Sequence, residues 1–370
     1  MFSRKSPLFI FLLSWVVCSI SAGDIQRYLY LSIPDGAQKR DPVEPGIYVF
    51  DIDDEHKFVK FIPMPSFSRG LRGFCPSLAN HSAYYTDTKG LIGCFDLEAD
   101  KIVWERYHDY GWDRACITDD GSKIYAPFGW WHRAADGGFA IINPENGDIL
   151  DNVITGGSPH NSLITQDGKY MLVGGWSWLN MYDVETDEVI WRFTAIGDDG
   201  VFPFVVNSDS TLGYVCHRRH VGFDVVDLVK GNKLHTIGYG DEPPARRTHG
   251  VGLTPDESEV WISDQHENQL IVYDNTVMPP VFKQEIPLSR GGHGWITFSI
   301  DRRFAWCHTP DVIDPKTKEV VATLMTEDGT PIASSKFFEA HFKDGKLIRV
   351  GNQFGLGMKT RGPLKLKDLN

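Results

Sequence analysis

The chain carries no Cys-x-x-Cys pair, no His-Glu-x-x-His and no Gly-x-Ser-x-Gly. A zinc ribbon or thioredoxin-type dithiol, a zincin helix and a nucleophile elbow are thereby excluded as contiguous motifs. Its six cysteines (Cys18, Cys75, Cys94, Cys116, Cys216 and Cys307) lie far apart. Such spacing leaves room for one or two bridges but excludes a disulfide framework. Cations are scarce: 37 Lys and Arg stand against 49 Asp and Glu, a formal charge of −12. An acidic surface repels phosphate backbones, so nucleic acid is not the expected partner. Beyond the first two dozen residues no apolar run approaches the ~20 needed for a membrane-spanning helix, and the apolar residues show no helical period.

What is present begins with a leader. Arg4 and Lys5 precede the apolar run PLFIFLLSWVV, and small residues follow in SISAG. That order reads as a secretory signal peptide over residues 1–23, which places the mature chain outside the cytoplasm, periplasmic or secreted, with no stable membrane insertion after cleavage. Val17 ahead of Cys18 is a poor fit to lipid attachment. Loss of Arg4 and Lys5 with the leader takes the charge from −12 to about −14. The rest is rich in aromatic residues (11 Trp, 13 Tyr, 22 Phe) and in glycine (36), a mixture suited to many short strands joined by tight turns.

Those strands repeat. PHNSLITQDGKYMLVGGWSWLNMYDVETDEVI (159–190) and THGVGLTPDESEVWISDQHENQLIVYD (248–274) share one plan: an apolar segment, a polar turn, a second strand, and a third ending in Tyr-Asp. Residues 73–107, 113–150, 202–234 and 293–324 follow it too, and Asp120, Asp167, Asp209, Asp256, Asp301 and Asp344 recur as turn residues every 42 to 47 positions. A period in the forties with four strands per unit predicts an all-β, seven-bladed β-propeller over residues 24–357. The amino-terminal segment RYLYLSI…GIYVFDI offers outer strands without an inner one, and SSKFFEAHF offers an inner strand without a blade. Pairing the two ends closes the ring. One strand, RYLYLSI or KLIRVGN, is then left over, so eight blades stay open. The basic tail 358–370 is expected to be a flexible terminus.

The segments PHNSLITQDGKYMLVGG and THGVGLTPDESEVWISD…QLIVYD resemble the repeat of YVTN-type propellers, extracytoplasmic bacterial proteins described as surface-layer, WD40-like or lactonase-like. The resemblance spans nearly all of residues 24–357 and implies the fold; most members of that family have no assigned reaction, and fold alone does not fix activity.

In a propeller the loops into the inner strands and the loops after the second strands open on one face, where the mouth of the central channel takes a small-molecule, glycan or protein ligand. Two sets of residues gather on those loops. Arg114, Arg133, Arg218, Arg219, Arg246 and Arg247, with His217, can pair with carboxylates or sulfates. Trp130, Trp131, Trp176 and Trp178 can stack on sugar rings, so together they suit an acidic saccharide. The second set, His160, His249, His293 and His341, offers imidazoles to one divalent or copper ion in the channel. Their positions are not equivalent: His160 and His249 stand seven residues before their turn aspartates, His293 eight and His341 three. The repeat by itself accounts for histidine at the start of an inner strand. The leading expectation is a monomeric ligand-binding or interaction scaffold. The alternative is a metal-assisted polysaccharide lyase, in which His, Tyr or Arg moves a proton α to a carboxylate, or a lactonase, in which the metal or a histidine activates water. His132, His217, His220, His266 and His308 are expected to face solvent on loops, and Asp53–His56 to form a solvated charge cluster.

Overall fold

The computed structural model describes residues 24–36, 41–130, 136–194, 200–217, 220–240, 248–264, 266–292 and 294–351, without the side chain of Phe202. The leader (1–23) and the tail (358–370) lie outside the described residues. Among those described, no helix is long and apolar enough to cross a membrane, and the one helical element is a short 3-10 turn at Pro65–Arg69.

Seven antiparallel sheets make the ring. The first blade is β4 (Leu71–Ser77), β5 (Ser82–Asp87), β6 (Leu91–Asp96) and β7 (Lys101–Tyr107). The second is β8 (Cys116–Ile117), β9 (Ile124–Phe128), β10 (Gly138–Ile142) and β11 (Ile149–Ile154), and the third β12 (Asn161–Ile164), β13 (Tyr170–Gly175), β14 (Trp178–Asp183) and β15 (Val189–Phe193). The fourth runs β16 (Val201–Val206), β17 (Leu212–His217), β18 (Gly222–Asp227), β19 (Asn232–Gly238). The fifth runs β20 (Thr248–Leu253), β21 (Glu259–Asp264), β22 (Gln269–Asp274), β23 (Val281–Pro287), and the sixth β24 (Thr297–Phe298), β25 (Ala305–Trp306), β26 (Asp311–Ile313), β27 (Val320–Thr323). The seventh joins the chain ends: β28 (Phe337–Lys343) is its inner strand, followed by β1 (Gln26–Ile33), β2 (Gly46–Asp51) and β3 (Lys57–Pro63). The strand left over is KLIRVGN. As β29 (Lys346–Val350) it extends the same sheet beyond β28, and its Leu347 N–H donates to Glu98 of the first blade at 2.9 Å. It founds no eighth blade.

Two local devices explain why the sequence folds this way. At the turn from first to second strand the aspartate carboxylate accepts the backbone N–H two residues on, as Asp120 does from Ser122, Asp167 from Lys169 and Asp256 from Ser258. The residue after it adopts positive φ, at Gly121 and Gly168 without strain but also at Ser210, Glu257 and Arg302. At the turn from third to fourth strand an Asx residue does the same in every blade: Asp51, Asp96, Asn143, Asp183, Asp227, Asp274 and Asp314.

The blades pack through aromatic pairs, Phe139–Tyr182, Phe223–Tyr273, Trp261–Phe298 and Phe74–Phe338 among them, with ring centroids 4.7 to 5.1 Å apart. Polar links stitch every junction near the end of the axis away from the first-strand entries. They include Trp104 Nε1 to Pro144 O, Lys123 to Asp187, Trp191 Nε1 to Leu228 O, Tyr214 to Asn275, Lys318 to Glu259, Arg303 to Asp53, and the Lys60–Asp100 pair. The five described cysteines are all buried and no disulfide joins any two of them, so burial rather than cross-linking holds the described ring.

The Asp53–His56 turn is only partly the solvated cluster expected. Asp53, Asp54 and Glu55 are exposed, but His56 is buried and its Nε2 accepts the Trp306 indole N–H across the junction at 2.9 Å. Burial first, then the nearby Arg27, pushes its pKa down to about 4. A base whose folded pKa lies below its unfolded value leaves stability intact above the unfolded pKa, ~6.5, and loses it as pH falls towards 4. His56→Gln keeps an acceptor for Trp306 and removes the proton site. The variant is expected to hold its Tm better than the parent between pH 6.5 and 4; parallel Tm–pH curves would contradict this.

Candidate functional site

All inner strands start at the same end of the axis, and the residues that open them meet there. Two parallel bridges draw neighbouring blades together there, Arg114 with Asn161 and Asp35, just past β1, with Leu71. Glycine makes the approach possible on the other side. A Cβ on Gly250 would lie 1.8 Å from Gly294 O, and one on Gly294 would lie 2.5 Å from Ser335 Cβ. The His-Gly dipeptides of the fifth and sixth units therefore carry a packing requirement in their second residue.

The charged centre of this end is Asp113. Its carboxylate accepts from Arg72 Nε and Nη2 at 3.2 and 3.3 Å, from His160 Nδ1 at 2.8 Å and from the Arg114 backbone N–H at 3.0 Å. Burial opposes its ionisation, but Arg72 and His160 prevail and hold its pKa at about 2. His160 is itself pushed down by burial against the pull of Asp113, so it is a neutral ring with its proton on Nδ1. Beside it, the Arg114 guanidinium carbon stands over Trp295, 2.9 Å from the ring centroid, and Nη2 donates to Ser335 O at 3.2 Å. Lys336 approaches the same indole at 4.2 Å, donates to Ser335 Oγ at 2.7 Å and stands 3.7 Å from Asp35. Asp35 in turn accepts the Ser335 N–H and hydroxyl at 2.8 and 2.6 Å. Arg72, Asp113, Arg114, Lys336 and Asp35 are all buried.

Aromatic rings line the third- to sixth-blade side. Trp130 lies parallel on His160, centroids 4.3 Å apart, with Trp176 6.0 Å beyond it. His160 and His249 rings are 5.7 Å apart, and His249 meets Trp295 edge-on at 5.4 Å. Trp130, Trp176 and Trp178 are half-buried, and Trp178 Nε1 donates to Gly157 O at 3.1 Å.

Of the residues singled out from the sequence, Arg114, Trp130, Trp176, His160 and His249 are thus brought together. His217, expected on a solvent-facing loop, is instead buried, with Nε2 3.0 Å from the buried Asp224. His308, expected there too, is also buried, because it backs onto Gly294. His220 is half-buried and His266 exposed. His341 lies five residues past Lys336 in β28, roughly 16 Å along the strand at its usual rise, where Nε2 meets Glu339 at 2.6 Å. Trp131, His132, Arg133, Arg218, Arg219, Arg246, Arg247 and His293 lie outside the described residues. Among the described residues no group of three or more His, Cys, Asp or Glu is arranged to hold a metal ion.

Arg72, Asp35, Trp295 and Lys336 went unnoticed in the sequence. A partial signal existed for one: counting six residues back from Asp120, Asp167, Asp256 and Asp301 gives Arg114, Asn161, Gly250 and Trp295 at the axis, whereas Asp209 and Asp344 give Pro203 and Phe338.

No family model matches the chain, and no curated protein matches it in sequence. Solved structures match in shape. The β-propeller domain of Cps50 (Swd1) from Myceliophteria thermophila superposes with a TM-score of 0.59 at 11% identity, covering 75% of this chain and 89% of that one. Hydrazine synthase of Kuenenia stuttgartiensis gives 0.60 at 11% identity, covering 74% and 88%. At such identity the likeness is one of fold: this is a seven-bladed, WD40-like propeller.

Proposed function

We propose that the chain is a monomeric, extracytoplasmic propeller of the YVTN type that binds an acidic saccharide at the axis end where the inner strands begin. The observation that carries this reading is the convergence, at one end of one channel, of the half-buried faces of Trp130 and Trp176 with the cations Arg72, Arg114 and Lys336. Indole faces suit sugar rings, and guanidinium and ammonium groups suit their carboxylates. The leader over residues 1–23 supports the location. Calorimetric titration with oligouronates, against neutral oligosaccharides of equal length, tests the reading. Uronates are expected to bind in preference, and Trp176→Ala to weaken them roughly tenfold, the loss of about 1.5 kcal/mol of buried aromatic face. Equal binding of neutral sugars, or none of either, would end it.

A second reading rests on the His160–Asp113 pair. A neutral imidazole held through Nδ1 by a carboxylate is the arrangement of a general base, and on this reading Arg114 would steady negative charge developing on an enolate. This is the lyase alternative, with lactone hydrolysis as its close relative. Unsaturated product formed from a uronate polymer, and lost in His160→Gln, distinguishes a lyase from a binder.

A further inference from the structure

A cleft of about 330 Å³ opens between the fifth and sixth blades, at the end of the axis away from the inner-strand entries. It is walled by the first-to-second-strand turn of the fifth blade (254–259), by β23, and by the third-to-fourth-strand turn of the sixth (314–319). Every residue of these three segments is described. Among the described residues its only apolar lining is two prolines, so the cleft suits a small polar ligand and gives an apolar one little to bury against. The charged lining is mostly cationic. Partial burial opposes ionisation of Asp256, but bonds from Ser258 and Thr254 and the charge of Arg302 hold its pKa down. With Arg302 set against Asp256, the ammonium groups of Lys283, Lys316 and Lys318 have one lining carboxylate between them, Glu259.

That carboxylate is engaged at both oxygens. Oε1 accepts from Lys283 at 2.7 Å, and Oε2 from Lys318 at 2.6 Å and from the Trp261 indole at 2.8 Å. An ammonium has three N–H donors, so both lysines keep donors beyond the one Glu259 takes, even though Lys318 gives another to Pro315 O. The Glu259 bond raises the Lys283 pKa, in favour of its charged form. Lys316 is exposed at the edge of the cleft. Asp274, whose charge also reaches Lys283, and Asp314 do not line the cleft, and each turns Oδ1 to a backbone N–H of its own turn. The backbone supplies a second observation. Arg302 and Lys318 both have φ of +67° at turn positions where other blades have glycine, Gly121 and Gly168 in the first case, Gly147 and Gly231 in the second. Among the described residues they are the only arginine or lysine with positive φ, and both line this cleft. Left-handed backbone under a long side chain is unfavourable, and such positions gather at ligand sites. We propose that the cleft is a phosphate-type oxyanion site, in which Lys283, Lys316 and Lys318 hold one divalent tetrahedral anion between the two turns. Inorganic phosphate and the phosphate group of a small ester share that chemistry. The site stands at the other end of the axis from the saccharide reading and does not depend on it.

The test titrates the full chain by calorimetry with inorganic phosphate at low ionic strength and about pH 8, where the ion carries close to two charges. Saturable binding is expected; sulfate should compete and neutral glycerol should not. Lys316→Gln removes an exposed charge and leaves the Glu259 bonds in place. It is expected to keep the parent's Tm and to bind phosphate roughly tenfold more weakly, the worth of one hydrogen bond to a charged group. Lys101→Gln, on the exposed β7, should bind like the parent. Glycerol phosphate binding at least as tightly as the free ion would uphold the site and assign it to an ester, whereas binding of the free ion alone would uphold it for the ion. No saturable binding of either by the parent would overturn the proposal. So would equal affinity in the parent and Lys316→Gln, or an equal loss in Lys101→Gln, which would mark a diffuse effect of net charge.

Discussion

Asp113→Ala is expected to lower the stability of the fold by about 3–5 kcal/mol, the usual loss when one partner of a buried pair is removed. The carboxylate is the meeting point of Arg72, His160 and the Arg114 backbone, and its own backbone carbonyl accepts from Thr86 Oγ1 at 2.7 Å. Deleting the side chain takes from the buried Arg72 guanidinium and the His160 imidazole the carboxylate that both now meet. Denaturant unfolding should show a lower midpoint at an unchanged slope. The pH dependence gives a second reading of the same group. With a folded pKa of about 2 beneath an unfolded value of ~3.9, Asp113 contributes in full above pH ~4, and its contribution is lost as pH falls through 2. Parent and variant should therefore differ most at neutral pH and converge in acid. A constant difference from pH 7 to 2 would show that Asp113 acts through packing alone.

The second large effect is expected at ring closure. Tyr30 sits on β1, buried, its ring stacked on Phe338 of β28 with centroids 5.4 Å apart and planes 5° from parallel. Phe338 in turn packs on Phe74 of the first blade at 4.7 Å. Tyr30→Ala removes the ring that links the two chain ends to their neighbour, and a loss of about 3–5 kcal/mol is expected for an aromatic-to-alanine change in a core. Tyr30→Phe keeps the stack and should lose much less. Limited proteolysis distinguishes local from global weakening: Tyr30→Ala should be cut early within β1–β3, because closure rests on that strand. Cleavage spread evenly over the blades would contradict this.

Much of the ring was legible because its signal is periodic. The turn aspartates mark first-to-second-strand turns, and the Asx residues from Asp51 to Asp314 mark the third-to-fourth-strand turn of every blade. The latter is the better ruler, since it includes the seventh blade, where the first ruler fails. The extra strand could not be assigned from the sequence because either RYLYLSI or KLIRVGN could stand beside the last inner strand; both in fact pair with β28, one on each edge.

The axis site was legible in part. His160 and His249 stood out as histidines placed by the repeat, and Arg114 as a cation beside an inner strand. Lys336 and Asp35 did not, because their meaning lies in each other and in Ser335, some 300 residues from Asp35 along the chain. His217 and His308 were placed in solvent on the strength of loop position, whereas burial beside Asp224 and Gly294 decides their environment. Loop membership in a propeller says which end a residue occupies and not how deep it sits.

The pairing of β1 with β28 sets a clock on biosynthesis. Strand β1 leaves the ribosome among the first of the ring, yet its partner follows only after some 300 further residues. At roughly 5–20 residues per second the apolar edge of QRYLYLSI waits about 15–60 s for company. Long exposed edges recruit foreign strands, so the nascent chain is at its most vulnerable when all its other blades are already made. A translational pause anywhere between β1 and β28 should lengthen that wait and lower the yield of folded protein, whereas the same pause placed ahead of β1 should not.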